Sequence, residues 1–222
     1  MKKLAWSHSS LKDFESCQRK YHQTKVLKLY PFKETEQILY GKELHKAAED
    51  YVRDGKPLPE QFAFIKDMLD TLTKKPGRKL AEHQMALTAD LQPCDWFAKD
   101  VWVRGVADLL IVDDDNLTAW VVDYKTGNNK YPDRDQLVLM SLMVFILFPH
   151  IRKVNSALLF VLKNDMVKMQ MHRDQAEQFW WKYRERTARI EACHDTGVWN
   201  PKQSPLCKRH CPVVTCEFNG FH

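Results

Sequence analysis

An α/β fold, with a central mixed β-sheet flanked by helices, is predicted by three features of the 222-residue sequence. Two apolar runs, at 101–112 and 119–125, are separated by the Asp113-Asp114-Asp115-Asn116 turn cluster and read as neighbouring buried strands. Segments with apolar residues at helical spacing stand on both sides of them. The whole order is helices, three strands, a helix, two strands and a helix, which places a mixed sheet between helical layers. With 44% apolar and 11% aromatic residues the chain is not of the disordered class, and its length suits a single domain over 1–222.

Ser7, Ser9 and Ser10 offer N-caps for a first helix running to about residue 26. A second helix covers about 36–53, with Leu44, Ala47, Ala48, Tyr51 and Val52 at helical spacing. Pro57-Leu58-Pro59 starts a third, with Phe62, Ile65, Leu69 and Leu72 on one side, and Lys74-Lys75-Pro76-Gly77 ends it. Strands follow at about 80–88, 101–112 and 119–125. A loop through Thr126-Gly127-Asn128-Asn129 and Pro132 leads into an apolar helix at 134–148. Strands at 154–162 and 166–172 flank the Lys163-Asn164-Asp165 turn and form a hairpin. The last helix spans about 174–194, with Phe179, Trp180, Tyr183, Thr187 and Ile190 inward, before a tail (195–222) rich in Pro and Cys.

The longest apolar run, 137–148, includes Ser141 and is too short to cross a bilayer, so it reads as a buried helix. No apolar segment follows Lys2 and Lys3, so no signal peptide is expected, and a cytoplasmic location follows by default. In a reducing compartment the six cysteines are thiols or metal ligands. The net charge of +5 is compatible with a polyanionic partner and does not establish one.

The chemistry concentrates in Asp123-Tyr124-Lys125 and in Asp108 on the preceding strand. Alternation along a strand points Asp123 and Lys125 to one face and Tyr124 to the other. Two acids and a lysine on neighbouring buried strands are expensive unless something compensates them, and a divalent cation would. Taken alone, Asp123-x-Lys125 reads equally well as a strand-end ion pair, His45 as an ordinary core or surface histidine, and Gln136 as a polar residue opening a helix.

Gly41-Lys42-Glu43-Leu44-His45 with Glu49, then Gly105-x-x-Asp108, Asp123-x-Lys125 and Gln136 opening a helix, together resemble the RecB-type branch of the PD-(D/E)xK nucleases. Ser9-Ser10-Leu11, Phe14 and Cys17 are similar to that family's N-terminal motif, so the resemblance spans nearly the whole chain. It implies a restriction-endonuclease-like core and a Mg²⁺- or Mn²⁺-dependent deoxyribonuclease, more in keeping with an exonuclease than an endonuclease. By motif position it makes His45, Asp108, Asp123 and the Tyr124 backbone carbonyl the metal ligands. Lys125 becomes the catalytic lysine, and Gln136 borders the site. The expected partner is DNA with a free end or single-stranded segment, in recombination, repair or replication processing. One departure is Met140, where the family commonly carries a tyrosine four residues after the glutamine.

Cys207, Cys211 and Cys216 form a C-x₃-C-x₄-C cluster in the tail, with Cys17 near the other end. In AddB and CRISPR-associated members of the family, one N-terminal and three C-terminal cysteines hold a [4Fe–4S] cluster, usually with C-x₂-C-x₅-C spacing. The resemblance therefore implies an iron–sulfur clasp between the two ends of the chain. Four thiolates also suit Zn²⁺, with His210 able to replace one, and three tail thiols without metal is the remaining alternative. Cys94 and Cys193 fall outside the pattern. Lys182, Arg184, Arg186 and Arg189, with Lys208 and Arg209, form either a phosphate-tracking path or a solvated helix face. Trp6, Trp96 and Trp199 are either base-stacking residues or packing residues. Two further functional classes stay open: a catalytically silent nucleic-acid-binding module, and a zinc-bound interaction protein.

Overall fold

The computed structural model describes residues 5–220, so Lys2 and Lys3 lie outside the described residues. The chain divides into two compact units, one built from Thr35–Trp180 and one pairing Trp6–Glu34 with the stretch from Trp181 onward.

The first unit is a five-stranded sheet in the order β1-β2-β3-β4-β5. Its strands are β1 (Arg78–Thr88), β2 (Val101–Asp113), β3 (Thr118–Lys125), β4 (Lys153–Phe160) and β5 (Asp165–His172). β3 and β4 run parallel while the other neighbours are antiparallel, which makes the sheet mixed. A parallel pair needs a crossover, and helix α5 (Arg134–Leu147) supplies it. The apolar run inside α5 is explained by its burial: Leu137 and every residue from Leu139 to Phe145 are enclosed.

The sheet carries a core on each face. On one side, Leu44 and Ala48 of α3 (Glu36–Asp54) and Leu69 of α4 (Lys66–Thr73) pack with Leu109, Ile111, Val122 and Tyr124. On the other, Leu137 of α5 meets Leu158 and Phe160. α3 is capped at its start by the Thr35 side chain, which accepts from the Ile38 amide, and ends at Gly55 with φ +65°. The Pro57-Leu58-Pro59 break opens a 3₁₀ stretch, Glu60–Ile65, before α4 becomes regular.

In the second unit the single helix expected to residue 26 is interrupted. α1 (His8–Ser16) begins with a Ser7/Ser10 capping box and stops at Cys17, whose backbone is extended (φ −166°, ψ 114°). The Cys17 Sγ then accepts from the Lys20 amide to cap α2 (Gln18–Tyr21), which runs into a π-helical turn at His22–Val26. The thiol takes over the capping role, so the break leaves no mark in the hydrophobic periodicity. The terminal segments hold each other through side chains. Trp6 stacks on Tyr183 at 5.5 Å, Arg186 forks onto Glu15 at 2.6 and 2.9 Å, and Trp199 stacks on His22 at 4.5 Å. Tyr183 and Arg186 belong to α6 (Ala176–Thr196).

No helix among the described residues is long and apolar enough to cross a membrane.

Candidate active site

The backbone ladder between β2 and β3 ends at the Leu109–Val122 pair. One step further, Asp108 and Asp123 stand on adjacent strands with their side chains on the same face. A side chain replaces the missing ladder bond: the Tyr124 amide donates to Asp108 Oδ2 at 2.6 Å. Both acids are buried, at 8% and 5% exposure.

Lys125 shares the Asp123 face, as strand alternation requires. Its Nζ lies 2.6 Å from Asp123 Oδ2 and donates to Gln136 Oε1 at 2.9 Å. Gln136, in the first turn of α5, in turn donates from Nε2 to Asp123 Oδ1. Acid, lysine and amide close a small ring that fixes all three head groups. Asp123 Oδ2 is buried and has the Lys125 ammonium as its ion-pair partner. Burial first, and the nearby Asp108 charge second, push the Asp123 carboxyl above its ordinary range, against the pull of Lys125.

α3 brings His45 to the same place from the helical layer. Its Nε2 lies 3.0 Å from the Tyr124 carbonyl oxygen, and its Nδ1 lies 3.3 Å from Asp108 Oδ1 and 3.7 Å from Glu82 Oε1. Both ring nitrogens thus face acceptors. Burial lowers the imidazole pKa, but bonding to Asp108 and Glu82 and the charges of Asp108 and Asp123 outweigh it and raise the pKa to about 10. In the ion-free chain an imidazolium neutralises the acids.

The donors gathered here are carboxylates, an imidazole and a backbone carbonyl. That set fits a hard divalent cation. Among the described residues, the ligand atoms of His45, Glu82 and Asp108 lie within 4.8 Å of one another, as a metal ion requires. The structure therefore brings together every residue expected at the site and adds Glu82. Nothing around Glu82 marks it in the sequence, because its place depends on the pairing of β1 with β2. Glu49 lines a solvent-open pocket with His45 and Glu82 but is occupied by Lys46 and Arg53. Met140 is buried against Gly105, where it fills space beneath the sheet.

The cysteines lie in the other unit. Cys17, Cys207, Cys211 and Cys216 line one pocket. Cys17 Sγ accepts from the Lys20 and Lys202 amides at 3.5 and 3.4 Å, and Cys207 Sγ from the Ser204 amide at 3.4 Å. Cys193 is buried and Cys94 half-buried, and neither lines that pocket. On α6, Lys182, Arg184 and Arg189 are exposed, as are Lys208 and Arg209 in the tail, whereas Arg186 is held by Glu15. The three tryptophans take packing roles: Trp6 and Trp199 in the stacks above, and Trp96 beneath the Arg104 guanidinium at 5.5 Å.

No curated protein matches this chain. Among solved structures it is similar to a protein of Eubacterium rectale described as a "Putative exonuclease", at 13% identity and a TM-score of 0.55, over 96% of this chain and 90% of that one. It is also similar to SSO0001, at 11% identity and a TM-score of 0.48, over 97% of this chain and 86% of that one. The first likeness agrees with the restriction-endonuclease-like sheet described above. The profile of the PD-(D/E)XK nuclease superfamily matches residues 5–216, and the chain belongs to that superfamily.

Proposed function

We propose that the protein is a metal-dependent deoxyribonuclease that hydrolyses phosphodiester bonds from DNA ends. The observation that carries this reading is the buried Asp108–Asp123 pair, faced by His45 and set beside the Lys125–Gln136 bridge. Clustered buried acids call for positive charge, which a divalent cation supplies. His45, Asp108, Asp123 and the Tyr124 carbonyl are the ligands in this reading, and Mg²⁺ or Mn²⁺ the ion. When bound, the ion supplies charge neutralisation at the scissile phosphate and a more acidic water. Lys125 sits where its ammonium can orient the attacking water or balance developing negative charge. Gln136 keeps that ammonium in place by accepting from it.

The preference for chain ends rests on the RecB-type motif order and on the name of the Eubacterium rectale relative. Recombination, repair or replication processing is the setting that resemblance brings with it. The cysteine pocket supports a structural metal clasp within a single nuclease domain, resembling the AddB and CRISPR-associated members. The one N-terminal and three C-terminal cysteines follow the iron–sulfur pattern of those members, which puts [4Fe–4S] ahead of a four-thiolate Zn²⁺ site.

The test is digestion of linear, nicked and circular DNA, labelled at either strand terminus, with and without Mn²⁺. Release of labelled mononucleotides or short fragments from linear DNA alone, dependent on the ion, is the expected result. Cleavage of closed circles moves the reading to an endonuclease. Ion-dependent binding without cleavage makes the protein a silent nucleic-acid-binding module.

A further inference from the structure

We infer that Glu82 of β1 is a direct ligand of the divalent cation, an assignment that rests on the metal-dependent reading above. The pairs Ala81–Leu109 and His83–Ala107 flank Glu82 and set it directly across from Asp108 in the β1–β2 register. Asp123 occupies the same level on the other side of Asp108, one step past the Leu109–Val122 pair. Three acids therefore form a single row across three adjacent strands. Like charges directly opposite one another weaken a sheet. Here regular pairing is also missing at that level on both sides of Asp108.

The backbone at Glu82 has φ +48°, in the left-handed region, inside β1 and away from that strand's register shift at Leu87–Thr88. A non-glycine residue there is strained unless the surroundings hold it, and such positions gather at ligand clamps. The distortion replaces the ladder pair with a carboxylate aimed at His45 Nδ1, 3.7 Å away. Glu82 is half-buried and lines the solvent-open pocket with His45, so an ion has a way in. Independently of the register, the ligand atoms of Glu82, Asp108 and His45 lie within 4.8 Å of one another, a spread that one ion can bridge. With Glu82, the donors become three carboxylates and an imidazole, a charge that strengthens retention of a divalent ion.

The experiment is calorimetric titration of DNA-free protein with Mn²⁺, in wild type, Glu82→Gln, Glu82→Gly, Asp108→Asn, His45→Ala and the His45→Ala/Glu82→Gln double variant. Glycine adopts the left-handed backbone without strain, so Glu82→Gly keeps the fold while removing the carboxylate. Both Glu82 variants are expected to weaken Mn²⁺ binding about tenfold or more, and Glu82→Gln to weaken it further in the His45→Ala background. Unchanged affinity in both Glu82 variants, with binding lost in Asp108→Asn, overturns the role of Glu82 alone. Full binding by Asp108→Asn overturns the cation reading beneath it. A Glu82 effect that vanishes when His45 is absent makes Glu82 a positioning residue and overturns its assignment as a ligand.

Discussion

Asp123 and Lys125 touch each other yet respond to opposite demands. The raised pKa of Asp123 means that its ionised form is disfavoured in the fold relative to the unfolded chain, so ionisation costs stability as pH rises above the ordinary carboxyl range. Asp123→Asn should therefore raise the melting temperature of ion-free protein at neutral pH while lowering cleavage by about 10²-fold or more. Lys125→Ala should slow the chemical step by a similar factor, with Mn²⁺ affinity unchanged or tighter, because a positive charge leaves the site. Thermal melts and single-turnover cleavage at saturating Mn²⁺ check both. A Lys125 variant that loses ion binding but turns over normally contradicts its role. For His45 the sign runs differently. Its pKa of about 10 stands above the unfolded value of about 6.5, so its contribution is complete below the latter and disappears as pH climbs through the former. Ion binding at this nitrogen must displace the proton. Mn²⁺ affinity should then rise by up to about tenfold per pH unit below pH 10. Titrations in buffers of different ionisation enthalpy read the released proton, and its absence removes His45 from the ligand set.

At the scale of elements, the site is an outcome of register and close approach. Gly105 shows why its motif carries a glycine: a Cβ there would come within 3.0 Å of Met140 Cε and Met143 Sδ. Gly105→Ala should force the buried Met140 and Met143 tips on α5 to give way by a few tenths of an ångström, at a cost of about 1 kcal/mol from overpacking. Since Gln136 opens α5, cleavage should fall along with the melting temperature, while DNA-free Mn²⁺ binding stays near wild type. Loss of Mn²⁺ binding in a folded variant would mean that Gly105 serves the ligands rather than α5. The contrast between the strands also explains what could be read in advance. Asp108, Asp123 and Lys125 were legible because strand alternation is local, and because two of them occur in one tripeptide. The mixed sheet was legible because its strands are short apolar runs bounded by turns. Glu82 was not, since its meaning comes from a partner strand and from a backbone angle that no propensity scale encodes. The interruption at Cys17 was hidden for a related reason: a thiol caps α2 where Ser, Thr, Asp or Asn is the usual signal.

For the molecule as a whole, the question is what ties its two ends together. Within the terminal unit, packing already does part of this, through Trp6 on Tyr183, Arg186 on Glu15 and the Lys202 amide on Cys17 Sγ. A metal clasp would add the loop-closure term, roughly 5 kcal/mol for so long a loop in the simple entropy model. Packing alone and packing with a clasp therefore differ in a measurable way. If Cys17, Cys207, Cys211 and Cys216 hold a [4Fe–4S] cluster, anaerobically purified protein should be brown and contain about four irons per chain. Cys17→Ala should bleach the colour and lower the melting temperature by many degrees, because it removes both a ligand and the α2 cap. Cys211→Ala separates the two effects, since Cys211 caps no helix: it should bleach the protein and lower stability by the clasp term alone. Cys193→Ala, outside the pocket, should leave the colour unchanged. Colourless protein with one zinc per chain moves the site to the four-thiolate alternative. Metal-free protein that melts at the same temperature as Cys211→Ala assigns the joining of the ends to packing alone. The sheet acids and Lys125 belong to the other unit, so ion-dependent cleavage by the Cys211 variant, measured below its melting temperature, should persist.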